Sequence, residues 1–177
     1  MVKERLATLN LAFESLPPLS SLQGKFFEEV IEQTYARCVK PQLALLKLTP
    51  DKTWSSKVYG ELMPHLLDEM FERAKIGKDS LFVDLGSGVG NVVAQASLST
   101  GCASFGIEVC KGPSEIASTF TEQVAARGSI WGMKAGTIKV ECGDMLNNKL
   151  VPLVIASADM VLVNNKVFSA EREWIYF

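Results

Sequence analysis

The apolar positions change period near residue 80. Before it, Phe26, Phe27, Val30, Ile31 and Tyr35 return at helical spacing within residues 22–48, and Pro41 is placed to break or kink that run. "ELMPHLLDEMFERAKIG", 61–77, predicts a second helix closed by Gly77. The plain account of these apolar residues is a packed helical face. Beyond residue 80, short β-type runs alternate with helical ones. "LFVDL" (81–85), "CASFGIE" (102–108), "TIKVECGD" (137–144) and "ADMVLVNN" (158–165) predict strands. "NVVAQASLST" (91–100) and the run 114–135 predict helices, the second with Ser114 as candidate N-cap. Alternation of this kind implies right-handed crossovers and a mostly parallel, doubly wound α/β sheet. The chain thus divides into a helical segment, 1–79, and a Rossmann-like core, 80–177, with four strands.

The first predicted strand runs into "DLGSGVGN", where Gly86, Gly88 and Gly90 alternate with small residues. Glycine in the first strand–helix turn lets the backbone turn tightly and approach a bound group closely. The spacing is G-x-G-x-G, with Asn91 where the dinucleotide fingerprint wants its last glycine. No Lys–Ser/Thr pair follows, which excludes a P-loop. Asp84, two residues before the first glycine, would repel a pyrophosphate and suits a cationic amino group. Glu108 ends the second strand and can accept hydrogen bonds from ribose hydroxyls. Asp144 ends the third and is placed to accept from an adenine amino group. Acids at three successive strand ends fit S-adenosylmethionine better than a nicotinamide dinucleotide. Each acid alone also reads as a turn former or helix cap.

Composition narrows the partners. The chain has 177 residues, 47% of them hydrophobic, which suits a globular protein of one domain or little more. A net charge of −2 argues against strong direct nucleic-acid binding. Cys38, Cys102, Cys110 and Cys142 form no C-x-x-C pair and the single histidine is His65, so buried reduced thiols are expected rather than a zinc site. "MVKERLATLN" has no secretory core, and "VPLVIASADMVLV" is too short to span a bilayer as a helix.

"VYGEL" (58–62), "FVDLGSGVGN" (82–91), "FGIE" (105–108), "GDM" (143–145) and "VLVNN" (161–165) occur in a telling order and spacing. In these motifs, from about residue 25 to 170, the chain resembles the disruptor-of-telomeric-silencing family of non-SET histone lysine methyltransferases. The resemblance implies a class I S-adenosylmethionine-dependent methyltransferase fold. It also implies transfer of a methyl group to a lysine in the globular core of histone H3 within the nucleosome, and a nuclear location. Tyr59, Gly60, Glu61 and Leu62 would form a loop closing over the cofactor. The block Phe82, Val83, Asp84, Leu85, Gly86, Ser87, Gly88, Val89, Gly90 and Asn91 would hold its methionine part. Glu108 would take the ribose, while Asp144 and Met145 receive the adenine. Asn164 would lie at the mouth of the lysine channel, where an amide oxygen orients an N–H without adding charge. Taken alone, Asn164 and Asn165 equally read as a strand-end turn.

Two departures from the family stand out. Many relatives carry phenylalanine where Met145 stands, and several carry an aromatic residue at the position of Lys166, although Phe168 keeps a later one. The family sheet also has strands beyond the fourth, so a sheet incomplete at its C-terminal side is expected, with "ADMVLV" as an apolar open edge. Two other readings stay open. One is a cofactor-binding module without catalysis. The other is a different methyltransferase of the same fold, acting on RNA or a small molecule.

Overall fold

A computed structural model describes residues 19–42 and 63–163, with side chains from Phe26 onward in the first segment. Four short strands pair in parallel: β1 (Leu81–Leu85), β2 (Ala103–Glu108), β3 (Ile138–Cys142) and β4 (Met160–Val163). Their order is β3-β2-β1-β4, so the direction of winding reverses at β1. Such a reversal opens a crevice beyond the carboxyl ends of the two central strands, where ligands of this architecture sit. Asp84 lies opposite Gly106 of β2 on one side and Leu162 of β4 on the other.

Among the described residues, helices α1 (Leu19–Cys38), α2 (Pro64–Arg73), α3 (Asn91–Thr100), α4 (Lys111–Ile130) and α5 (Val151–Ser157) surround the sheet. Strand alternation separates the two faces. Phe82 of β1 is fully buried against Leu67 and Phe71 of α2 and Val93 and Ala96 of α3. Its ring meets that of Phe71 edge-on at 5.3 Å between centroids. Val83 and Leu85 point the other way, with Phe105 and Ile107 of β2, and are covered by Val151, Val154 and Ile155 of α5. A further cluster joins Phe27 and Val30 of α1 to Leu98 of α3 and Phe120 and Val124 of α4. The described N-terminal helices therefore share their core with the layer that covers the sheet.

The parallel sheet appears as the pattern predicts, but several boundaries differ. The helix expected over 61–77 runs only from Pro64 to Arg73. It closes at Lys75 (φ 54°) rather than Gly77, because the Ile76 N–H reaches Phe71 O and the Lys75 N–H reaches Glu72 O. The long helix after β2 starts at Lys111, not Ser114. Ser114 sits inside its first turn, buried, with its N–H on Cys110 O. That helix ends at Ile130 rather than 135, where Gly132 (φ 75°) lets the Met133 N–H turn back to Gly128 O. Helix α5 was unforeseen, its apolar run being too short for period to reveal. The interruption expected at Pro41 falls two residues earlier: α1 ends at Cys38, Val39 is a turn, and residues 40–42 are helical again. Of the four free cysteines only Cys102 is fully buried, and Cys142 is exposed. Among the described residues, no helix is long and apolar enough to cross a membrane.

Candidate functional site

The turn after β1 takes its shape from three backbone positions that an L side chain resists. Gly86, Gly88 and Gly90 have φ of 90°, 56° and 83°. The Gly86 and Ser87 N–H groups donate to Ile107 O at 2.9 and 3.0 Å, which draws the turn across the end of β2. Gly90 then serves as the N-cap of α3. A Cβ on Gly90 would stand 3.2 Å from both Ala117 Cβ and Thr121 Cγ2, so this glycine also sets how closely α4 packs. Ser87 is 5% exposed, and its hydroxyl finds no hydrogen-bond partner.

Two acids lie beneath this turn. Glu108, at the end of β2, accepts the Gly88 N–H at 2.9 Å on Oε2 and the Cys110 N–H at 2.8 Å on Oε1. It therefore links the glycine turn to the start of α4. Each carboxylate oxygen keeps a second acceptor site, so a ribose hydroxyl can still be received. Asp84 is 3% exposed, and among the described residues no donor reaches its carboxyl. Burial first, and the negative Glu108 second, push it up from 3.8 to about 7. A buried carboxyl with no donor among the described residues, under a turn of three glycines, is suited to receive a cation.

Asp144 and Met145 follow β3. The Asp144 carboxyl accepts the Leu146 N–H and the Asn147 side-chain N–H, both at 3.0 Å, while its carbonyl accepts the Asn147 and Asn148 N–H groups. It builds a tight turn, the local role that a strand-end aspartate also suggests. The Gly143 N–H ties this turn to Glu108 O at 2.9 Å. Met145 is half-buried against the cluster of Val83, Leu85, Phe105 and Ile107. The expected site residues from Asp84 to Asn91, with Glu108, Asp144 and Met145, follow or end β1, β2 and β3, whereas Phe82 and Val83 stand earlier in β1, fully buried in the cores on its two faces. Tyr59, Gly60, Glu61, Leu62 and Asn164 lie outside the described residues.

Two contributors escaped sequence reasoning. Gly106 faces Ser87 so closely that a Cβ there would lie 2.8 Å from Ser87 Cβ and Oγ. Its signal was a glycine inside a strand, a common mark of close approach. The other is the Cys110 N–H, a backbone group with no side-chain signature. A separate groove of about 370 Å³ lies between α1, α2 and the start of α3, lined in part by Phe27, Ile31, Tyr35, His65 and Gln95. Of the glycine block, Asn91 alone among the described residues borders it.

Residues 35–173 match the family model described as "Histone methylation protein DOT1". A histone-lysine N-methyltransferase, H3 lysine-79 specific, from Chaetomium globosum is 34% identical over 94% of this chain and 32% of its own length. One of the same description from Yarrowia lipolytica is 38% identical over 78% of this chain and 28% of its own. The chain thus spans between about a sixth and a third of the length of the curated relatives it matches. Among solved structures, an RNA methyltransferase from Salinibacter ruber in complex with S-adenosyl-L-homocysteine is 20% identical, with a TM-score of 0.46 over 59% of this chain and 60% of that one. By the match to its family model and the identity to its relatives, this chain belongs to the DOT1 histone methylation family.

Proposed function

We propose that the chain binds S-adenosylmethionine and serves a histone lysine methyltransferase acting on the globular core of histone H3, in the nucleosome and the nucleus. The observation that carries the cofactor reading is Asp84: buried, without a donor among the described residues, beside Glu108 and under the glycine turn. This arrangement suits a zwitterion whose ammonium meets Asp84 and whose ribose meets Glu108. It does not suit a pyrophosphate, which two acids would repel. The turn's free backbone surface is where a methionine carboxylate would lie, near the N-terminus of α3. Asp144 and Met145 are the proposed adenine seat, with the thioether taking the contact that a ring makes elsewhere.

The cofactor supplies an electrophilic methyl group. The chain's own task is to hold donor and acceptor in line and to admit a neutral lysine amine. Tyr59 to Leu62 are the proposed closing loop, and Asn164 the proposed amide at the lysine channel. The substrate class rests on family membership and on relatives named H3 lysine-79 specific. A chain of net charge −2 fits a division of labour in which it grips bare DNA weakly.

The test is tritium transfer from labelled S-adenosylmethionine to recombinant nucleosomes. Label on histone H3, lost on Asn164→Ala, supports the reading. Saturable cofactor binding without any transfer would favour a binding module instead. Label on RNA or on small amines, with none on nucleosomes, would move the chain to another methyltransferase class.

A further inference from the structure

Asp84 and Glu108 share one face of neighbouring strands, two residues apart in register, yet their surroundings differ sharply. Two backbone N–H groups converge on Glu108, from Gly88 and Cys110. Among the described residues none is directed at Asp84, which is 3% exposed. Among the described residues, no other ionisable group relieves it. Helix α3, helix α5 and strand β4 carry no Asp, Glu, Lys, Arg or His at all, and Glu108 is the only one on β2. Helix α2 meets β1 through Phe71, which packs on Phe82. Of its charged residues, Asp68 is engaged by Gln95, and His65, Glu69, Glu72 and Arg73 lie outside the cluster of side chains that packs on β1. Asp159 sits at the opposite end of β1, accepting the Leu81 N–H. A buried acid with no donor and a second acid as neighbour holds its proton near neutral pH.

Resting on the cofactor reading above, we infer that the empty pocket holds Asp84 as the neutral acid, and that seating the cofactor's ammonium expels this proton to solvent. Binding is then an exchange of a proton for a cation. Its apparent affinity climbs about tenfold per pH unit while Asp84 is protonated, and levels off near neutrality. On the alkaline side the cofactor's own amino group loses its charge, at about pH 8 for an ordinary α-amine. Affinity is therefore greatest in a narrow band close to neutral. A lower pH acts as a brake on loading, independent of the methyl acceptor.

The test is calorimetric titration of the whole chain with S-adenosylmethionine at pH 6 and pH 7.5, each in two buffers of different ionisation enthalpy. The expected result at pH 6 is close to one proton released per cofactor bound, falling to a fraction of that at pH 7.5. Difference infrared spectra at pH 6, with only aspartate carboxyls labelled by carbon-13, identify the source. A protonated-carboxyl band that shifts with the label, is missing from Asp84→Asn and vanishes on binding supports Asp84, and a band that is unlabelled or persists in Asp84→Asn overturns it. Saturable binding with no proton release at pH 6 also overturns the inference while leaving the cofactor reading intact. Absence of binding at both pH values overturns the cofactor reading itself.

Discussion

Replacing Gly106 by alanine tests whether the glycine turn is set by packing against β2. The backbone there is ordinary extended strand, so alanine brings no dihedral strain of its own. The new Cβ, however, would lie 2.8 Å from both Cβ and Oγ of Ser87 and 3.2 Å from Val93 Cγ1. Carbon atoms rest at about 3.5 Å or more, so Ser87 must retreat by roughly 0.7 Å. Ser87 is no free surface group. Its N–H is fixed to Ile107 O at 3.0 Å, and its carbonyl accepts the Gly90 N–H at 2.9 Å. Its retreat therefore pulls on both ends of the turn. Overpacking of this kind costs about 1–3 kcal/mol. For a domain of this size that corresponds to a melting temperature lower by roughly 2–12 °C. Cofactor affinity should fall as well, because Gly88 shares the strained turn and holds Glu108. Ser87→Gly removes both contacted atoms along with an unpartnered buried hydroxyl. The Gly106→Ala/Ser87→Gly double variant should thus recover at least about 1 kcal/mol relative to additivity in a denaturant double-mutant cycle. Strict additivity, or a Gly106→Ala variant as stable and as tight-binding as the parent, would refute the reasoning.

Three other outcomes follow from the same geometry. Asp84 is raised from 3.8 to about 7 in the folded chain, so the folded state holds its proton more tightly than the unfolded state. Its contribution to stability is full below about pH 4 and is lost as pH rises to about 7, a loss on the order of 4 kcal/mol. Asp84→Asn should accordingly melt higher than the parent at pH 8, with the gap closing toward pH 4, while cofactor binding is lost. Glu108→Gln leaves one acceptor oxygen for the two N–H donors of Gly88 and Cys110. Hydrogen exchange at one of those amides should accelerate by about tenfold or more, with little change at Val93. Lys75 ends α2 at a φ of 54°, so Lys75→Gly should stabilise by about 0.5–1 kcal/mol in thermal unfolding.

What the sequence made legible was the part that backbone physics writes into residue type. Apolar runs alternating with helical periods pointed to a mostly parallel sheet, though not to its strand order, and "DLGSGVG" marked the turn because only glycine takes those dihedrals cheaply. Asp84 was legible as an acid hostile to phosphate, but its lack of a donor among the described residues was not, since that depends on what β2 and β4 place beside it. Asp144 shows the opposite limit. A strand-end aspartate reads the same whether it caps a turn or awaits a ligand, and only the structure reveals the turn it makes. Helix α5 hid in "VPLVIAS" because seven apolar and small residues carry no period. Lys75 hid because a lysine in the left-handed region leaves no compositional trace, whereas Gly77 two residues later invited the wrong stop.

The central placement of β1 also sets a timetable for folding. Its pairing with β2 joins residues about twenty apart, but its other edge waits for β4, where Leu81 N–H meets Asp159 Oδ2 across 78 positions of chain. Contacts so distant in sequence form late, after the entropy of a long loop has been overcome. The crevice at the end of β1 has no second wall until that moment. A nascent or partly folded chain can therefore hold a well-formed glycine turn and still lack a finished pocket, so ligand capture reports arrival of β4 rather than formation of β1.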